Sequence, residues 1–115
     1  MSRLLPAFIA VLMALSVAAP TAEAHSLYRR VDLAVKDADV RDVLTFLAKE
    51  ARINLVMSEQ VKGRVTLYLE RVRIKVALDS VLRVHGFDYI KRENVLLVMT
   101  RSEMDRYLED LRRGY

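Results

Sequence analysis

Three carboxylates, Asp37, Asp39 and Asp42, form the one acidic cluster of this 115-residue sequence. Carboxylate oxygens are the ligands of hard cations, so the cluster is a candidate cation site. It also stands where the apolar pattern turns helical. A carboxylate there accepts from the free N–H groups of a first turn and meets the positive end of the helix dipole. Capping, with Asp39 as the N-cap, is the reading adopted, and a cation site is the alternative. His25 is a lone histidine without partners for a metal, and His85 falls in a helix's last turn, where it suits the negative dipole end. There is no cysteine, which rules out thiol chemistry and Cys-based metal sites. No Gly-rich phosphate loop and no nucleophile elbow occurs. The residue types therefore assign no catalytic residue, no metal ligand and no cofactor, and the chain is expected not to be an enzyme.

The elements around the cluster are legible from periodicity. Val31, Leu33 and Val35 alternate as on a half-buried strand. Val40, Val43, Leu44, Leu47, Ala48 and Ala51 then follow the spacing of one helix face. Ile53 to Met57 reads as a second strand. This strand-helix-strand unit recurs without a gap at a shift of 34 (65 minus 31), with Val65, Leu67, Leu69, Ile74, Leu78, Val81, Leu82, Phe87 and Tyr89 on the equivalent positions. Two copies are too few for a solenoid, so they are read as two halves of one α+β domain. Lys62-Gly63 is the turn into the strand Arg64 to Leu69. The second helix spans Ile74 to His85 with core face Ala77, Leu78, Val81 and Leu82, and Gly86 is its left-handed stop. Arg73 stands where the first unit has Asp39. It cannot cap, so tertiary packing must carry that helix start. Val76 and Val84, with Ser80 between them, and Phe46 on the first helix, predict helices covered on two sides.

The end of the chain carries the candidate contact residues. Phe87 to Lys91 and Val95 to Met99 form a hairpin, with Asn94 suited to the left-handed turn position. Val95 to Met99 is wholly apolar, so it is expected to be buried on both faces or paired at an edge. Ser102 to Gly114 reads as a short amphipathic helix with a weak capping box, Ser102 with Asp105, and an apolar face of Met104, Tyr107, Leu108 and Leu111. It either docks on its own domain or meets a partner. Because sheet edges can accept a further strand, Val95, Leu97, Met99, Tyr107 and Leu111 are the expected partner-binding residues.

The other end is a targeting signal in composition. Arg3 precedes an apolar run from Leu4 to Ala19, Pro20 breaks it, and Ala22-Glu23-Ala24 is a small-x-small cleavage pattern. The run is shorter than the roughly 20 residues of a membrane span. An uncleaved anchor is the rival reading, and without a cysteine no lipid anchor is expected. Cleavage after Ala24 leaves a lead-in over 25–30, a domain over 31–100 and the tail over 101–115. The net charge of +4 survives the loss of Arg3 and Glu23. Basic and acidic residues interleave, as in Lys36-Asp37 and Lys49-Glu50, which argues for a solvated surface rather than nucleic acid. An acidic partner or an anionic membrane surface is the functional alternative.

The run from Lys36 to Val98 resembles the secretin and TonB N-terminus short domain. The residues that carry it are Asp39 to Ala48, the "INLV" strand Ile53 to Val56, Val61 to Leu67, Val72 to Leu82, Gly86 and the hairpin to Val98. The resemblance covers Val31 to Thr100. Arg73 departs from it, since members often have Pro or a capping residue there. It implies two helices sandwiched between a two-stranded and a three-stranded sheet, a Gram-negative periplasm, and a non-catalytic module that binds protein partners. Those partners belong to secretin channels of type II or III secretion and type IV pili, or to TonB-dependent receptors that signal. Association with the outer membrane would be through partners only. A β-barrel, plug or pore domain does not fit in 115 residues, so the expectation is a free-standing adaptor. A secretin-gene remnant and a small exported ligand-binding protein or inhibitor are the other readings.

Overall fold

A computed structural model describes residues 27–114. The expected signal peptide and His25 lie outside the described residues. The element order is β1 (Arg30–Asp39), α1 (Val40–Ala51), β2 (Asn54–Met57), β3 (Arg64–Arg73), α2 (Ile74–His85), β4 (Phe87–Arg92), β5 (Val95–Thr100) and α3 (Arg101–Arg112). β1 and β3 pair antiparallel as a two-stranded sheet. The three-stranded sheet has the order β2-β5-β4, with β2 parallel and β4 antiparallel to β5. The α+β class, the two sheets and the short C-terminal helix agree with expectation.

The core is built by the helix faces read from the sequence. Val40, Val43, Leu44, Leu47, Ala48 and Ala51 of α1, and Ile74, Ala77, Leu78, Val81 and Leu82 of α2, are all buried. From the strands, Val31, Leu96 and Val98 join them, with Val61 and Phe87. On β3 the side chains of Val65, Leu67 and Leu69 are half-buried, whereas Thr66, Tyr68 and Glu70 face solvent.

The repeat holds in three dimensions. β1 and β3, and α1 and α2, begin and end 34 positions apart (64 minus 30, 74 minus 40). Asp37 and Arg71 are equivalent, and both take φ 54°, a left-handed conformation that is uncommon without glycine. Each lies at or opposite a register shift of the β1–β3 ladder, as a β-bulge requires. Arg52 and Gly86 are likewise equivalent and end their helices in the left-handed region. Ala34 pairs with Tyr68, its own counterpart, so a pseudo-two-fold axis passes between them.

The same symmetry resolves how the helices start. Asp39 caps α1, its Oδ1 accepting from Arg41 N at 2.8 Å. Arg73 makes no side-chain cap on α2. Ile74 N donates instead to Arg29 O at 2.8 Å and Lys75 N to Leu27 O at 2.8 Å. The counterpart bond, Val40 N to Gly63 O at 2.9 Å, serves α1. Each half therefore lends a carbonyl to the first turn of the other half's helix. The lead-in, which reads as featureless in sequence, is a cap.

Four expectations need correction. β3 runs on to Arg73 rather than stopping at Leu69. Val76 and Val84 are 51% and 79% exposed, because a sheet of only two strands is too narrow to cover α2 on its far flank, although Phe46 does pack on the core. In the hairpin, Arg92 stays paired with Val95, so the turn has two residues. Its first, Glu93, takes φ 53° rather than Asn94. Finally, α3 begins at Arg101 with Thr100 as N-cap. Thr100 Oγ1 accepts from Glu103 N at 3.2 Å and Glu103 Oε1 accepts from Thr100 N at 2.9 Å. This box takes the place of Ser102 with Asp105 because the longer glutamate reaches back to the N-cap N–H.

Candidate functional site

The expected contact residues meet on the outer face of the three-stranded sheet. Along β5, Leu96 and Val98 are buried in the core, while Val95, Leu97 and Met99 alternate with them and are half-buried on the other side. Ile90 of β4 and Val56 of β2 lie opposite Leu97, so an apolar row crosses this face. Val56 is 51% exposed.

α3 folds back over the face and touches β4 and β5. Met104 is buried. Tyr107 is half-buried, and its hydroxyl accepts from Arg92 Nη1 at 3.2 Å. Glu103 ties the helix start to the end of β2: Ser58 Oγ donates to Glu103 Oε2 at 2.6 Å. The Ser58 hydroxyl, and after it the Thr100 N–H, hold the Glu103 carboxyl below the usual carboxylate range. The second half of the stripe does not dock. Leu108 and Leu111 are 44% and 45% exposed. The tail is thus fixed to its own domain through Met104 and Tyr107 and presents Leu108 and Leu111 outward.

The arrangement closes one route that the sequence suggests. β5 is the central strand, bonded on both sides, so it cannot accept a further strand. The edges of this sheet are β2 and β4. Val95, Leu97 and Met99 can meet a partner only with their side chains, and of the five expected residues Leu111 is the one left well exposed. Glu103 and Ser58 were missed by sequence reasoning, although Thr100-x-x-Glu103 is a capping-box signature visible in the sequence.

The acidic cluster is dispersed among other tasks. Asp37 Oδ1 takes Arg64 Nε at 3.0 Å, and Asp39 caps α1. Among the described residues no group of three His, Asp or Glu side chains is gathered for a metal ion. No described helix is long and apolar enough to cross a membrane.

Known proteins share this architecture. The chain is 43% identical over 75 residues to the fimbrial assembly protein PilQ of Pseudomonas aeruginosa, covering 65% of this chain and 10% of that protein. It is 34% identical over 76 residues to the type IV pilus biogenesis and competence protein PilQ of Neisseria meningitidis, covering 66% and 10%. The chain thus spans about a tenth of the length of the curated relatives it matches. Among solved structures, the V. cholerae type IV competence pilus secretin PilQ matches with a TM-score of 0.60 at 35% identity, over 71% of this chain and 21% of that one. The N0 domain of the type II secretin from enterotoxigenic Escherichia coli matches with a TM-score of 0.56 at 17% identity, over 63% of this chain and 95% of that one, a likeness of fold. Residues 33–98, more than half of the chain, match the model of the GspD-like N0 domain, and the chain belongs to that family.

Proposed function

We propose that this chain is a non-catalytic, periplasmic protein-interaction module of a secretin system, and that the system served is a type IV pilus. The observation that carries this reading is the match of residues 33–98 to the secretin N0 family together with 43% identity to a fimbrial assembly protein. TonB-receptor signalling, which the sequence resemblance also allows, has less support, because the relatives named here are pilus and secretin proteins. On this reading the signal peptide directs export and is cleaved after Ala24, and any tie to the outer membrane runs through the partner. We assign the partner contact to the exposed end of α3, Leu108 and Leu111 with Tyr107 at its base; the exposure of both leucines supports this reading.

Capture from periplasm with the tagged chain tests this. The expected result is recovery of a secretin or pilus-assembly protein, with an intact mass that begins at His25. Leu111→Glu should lower recovery while the melting temperature stays within the small range of surface substitutions. Recovery of the chain alone, or a retained Met1 in the membrane fraction, would overturn the reading.

A further inference from the structure

The two halves match element by element, so one serves as an internal control for the other. Counting 34 positions on from α1 (74 minus 40), Asp42, Phe46 and Glu50 become Val76, Ser80 and Val84. Phe46 is half-buried against the core. Glu50 holds Arg29, which lies 3.8 Å from its carboxylate and donates to its carbonyl at 3.2 Å. The flank of the first half is thus filled and polar at its rim. In the second half, Ser80 is exposed and turns its hydroxyl back to Val76 O at 2.8 Å. Val43 and Leu47 are replaced by the smaller Ala77 and Val81.

The space that side chains fill in the first half is a groove of about 250 Å³ in the second. Its walls are Val65, Leu67 and Leu69 of β3 and Ala77, Val81 and Val84 of α2. Val84 stands at the rim, 79% exposed, and Val76 continues the same stripe. The strand that walls the groove also has an open edge. β3 pairs with β1 on one side and with no strand on the other among the described residues. An unpaired edge beside an apolar groove has what strand addition uses: backbone groups for affinity and a pocket for alternate side chains.

Charge selects the occupant. β3 carries Arg64, Arg71 and Arg73 against one acid, Glu70; Asp37 of β1 holds Arg64, which leaves Arg71 and Arg73 as its excess positive charge. Two copies pairing β3 with β3 would bring together two strands that each carry an excess of positive charge. An acidic strand would meet that charge favourably. We propose that the β3 edge and its groove bind an extended acidic segment of another protein, which adds a strand to β3 and lowers one aromatic or large aliphatic side chain into the space above Ser80. Phe46 shows what fits there. The proposal rests on the reading of the chain as an interaction module.

The test uses the purified protein and a synthetic peptide of alternating valine and glutamate with phenylalanine at its centre. The peptide should slow amide exchange along β3 and shift the methyl signals of Val84. Ser80→Phe supplies from within the side chain that the partner would supply, so it should weaken peptide binding about tenfold or more, as removing an anchor pocket does. Val84→Glu, at a position too exposed to matter for folding, should do the same, and a peptide with lysine for glutamate should bind far less. Unprotected β3 amides, or equal binding by both variants, would overturn the proposal. So would a dimer of the free protein that Ser80→Phe abolishes, since it names a second copy as the occupant. Periplasmic capture by the unaltered chain with no peptide effect would leave the interaction module standing and remove the groove from it.

Discussion

At the scale of single residues, burial follows helical spacing closely enough to be used quantitatively. Leu44, Leu47, Leu78 and Leu82 are each exposed by 2% or less. Truncating any of them to alanine removes packed atoms and leaves a cavity, which costs about 2–5 kcal/mol. Urea melts should show losses of that size, and the four should fall within a factor of about two, because they sit on matched faces of matched helices. Gly63 is bound by its surroundings in another way. Its φ is 142°, and a Cβ there would meet His85 Cδ2 at 2.8 Å. The His85 ring lies against Phe87 and between two carbonyls, Val81 O and Arg64 O, each 3.0 Å from a ring nitrogen. The sequence showed a turn glycine and a last-turn histidine. That the two touch depends on the long-range pairing of the halves, which no local pattern reports.

At the scale of elements, α3 depends on one carboxylate. Glu103 closes the capping box and accepts from Ser58. Its carboxyl is held below the usual range, so the native state favours the ionised form more than the unfolded chain does. The contribution is present above the ordinary glutamate value near pH 4.3 and is lost as pH falls through the lowered one. Amide protection in α3, measured against the intrinsic exchange rate at each pH, should fall on acidification before that of the core helices. Glu103→Gln should shrink this acid step, whereas Asp105→Asn should leave it intact. Which parts of such elements could be read in advance has a physical pattern. The core faces of α1 and α2 were legible because burial on one side imposes a period. The outward valines of α2 were not, since apolarity alone does not say whether a neighbour is wide enough to cover it. The N-cap of α3 was placed two residues late because Ser102 and Thr100 are both good caps, and the strand's length decides between them. Of the expected contact residues, Tyr107 and Leu111 were found as a helical stripe. The paired state of β5 was not, because strand order is a non-local property.

At the scale of the whole molecule, the pseudo-two-fold makes each half depend on the other. The first N–H of α2 has its acceptor in the lead-in, at Arg29, and the next at Leu27. A chain beginning at Arg30 leaves two donors at that helix start without these partners. Each unmet buried donor costs about 1–3 kcal/mol, less where water reaches it. Removal of residues 25–29 should therefore lower the stability of the whole domain, with exchange of the Ile74 and Lys75 amides rising first. The third, odd strand has the opposite relation to the symmetry. β2 and β4 are halves of the repeat, and β5 lies between them. Asn54 finds its mate at Val95, 41 positions later (95 minus 54). A ribosome makes the chain from its N-terminus, so β2 and β4 exist for a time as bare edges with nothing between them. Pairing over such separations is slow and leaves strands open to aggregation. The sheet closes only when Val95 to Thr100 is delivered. Until then β2 and β4 lack the neighbour that the sheet requires, and a fragment ending before Val95 would carry two unpaired strands, each a template for aggregation.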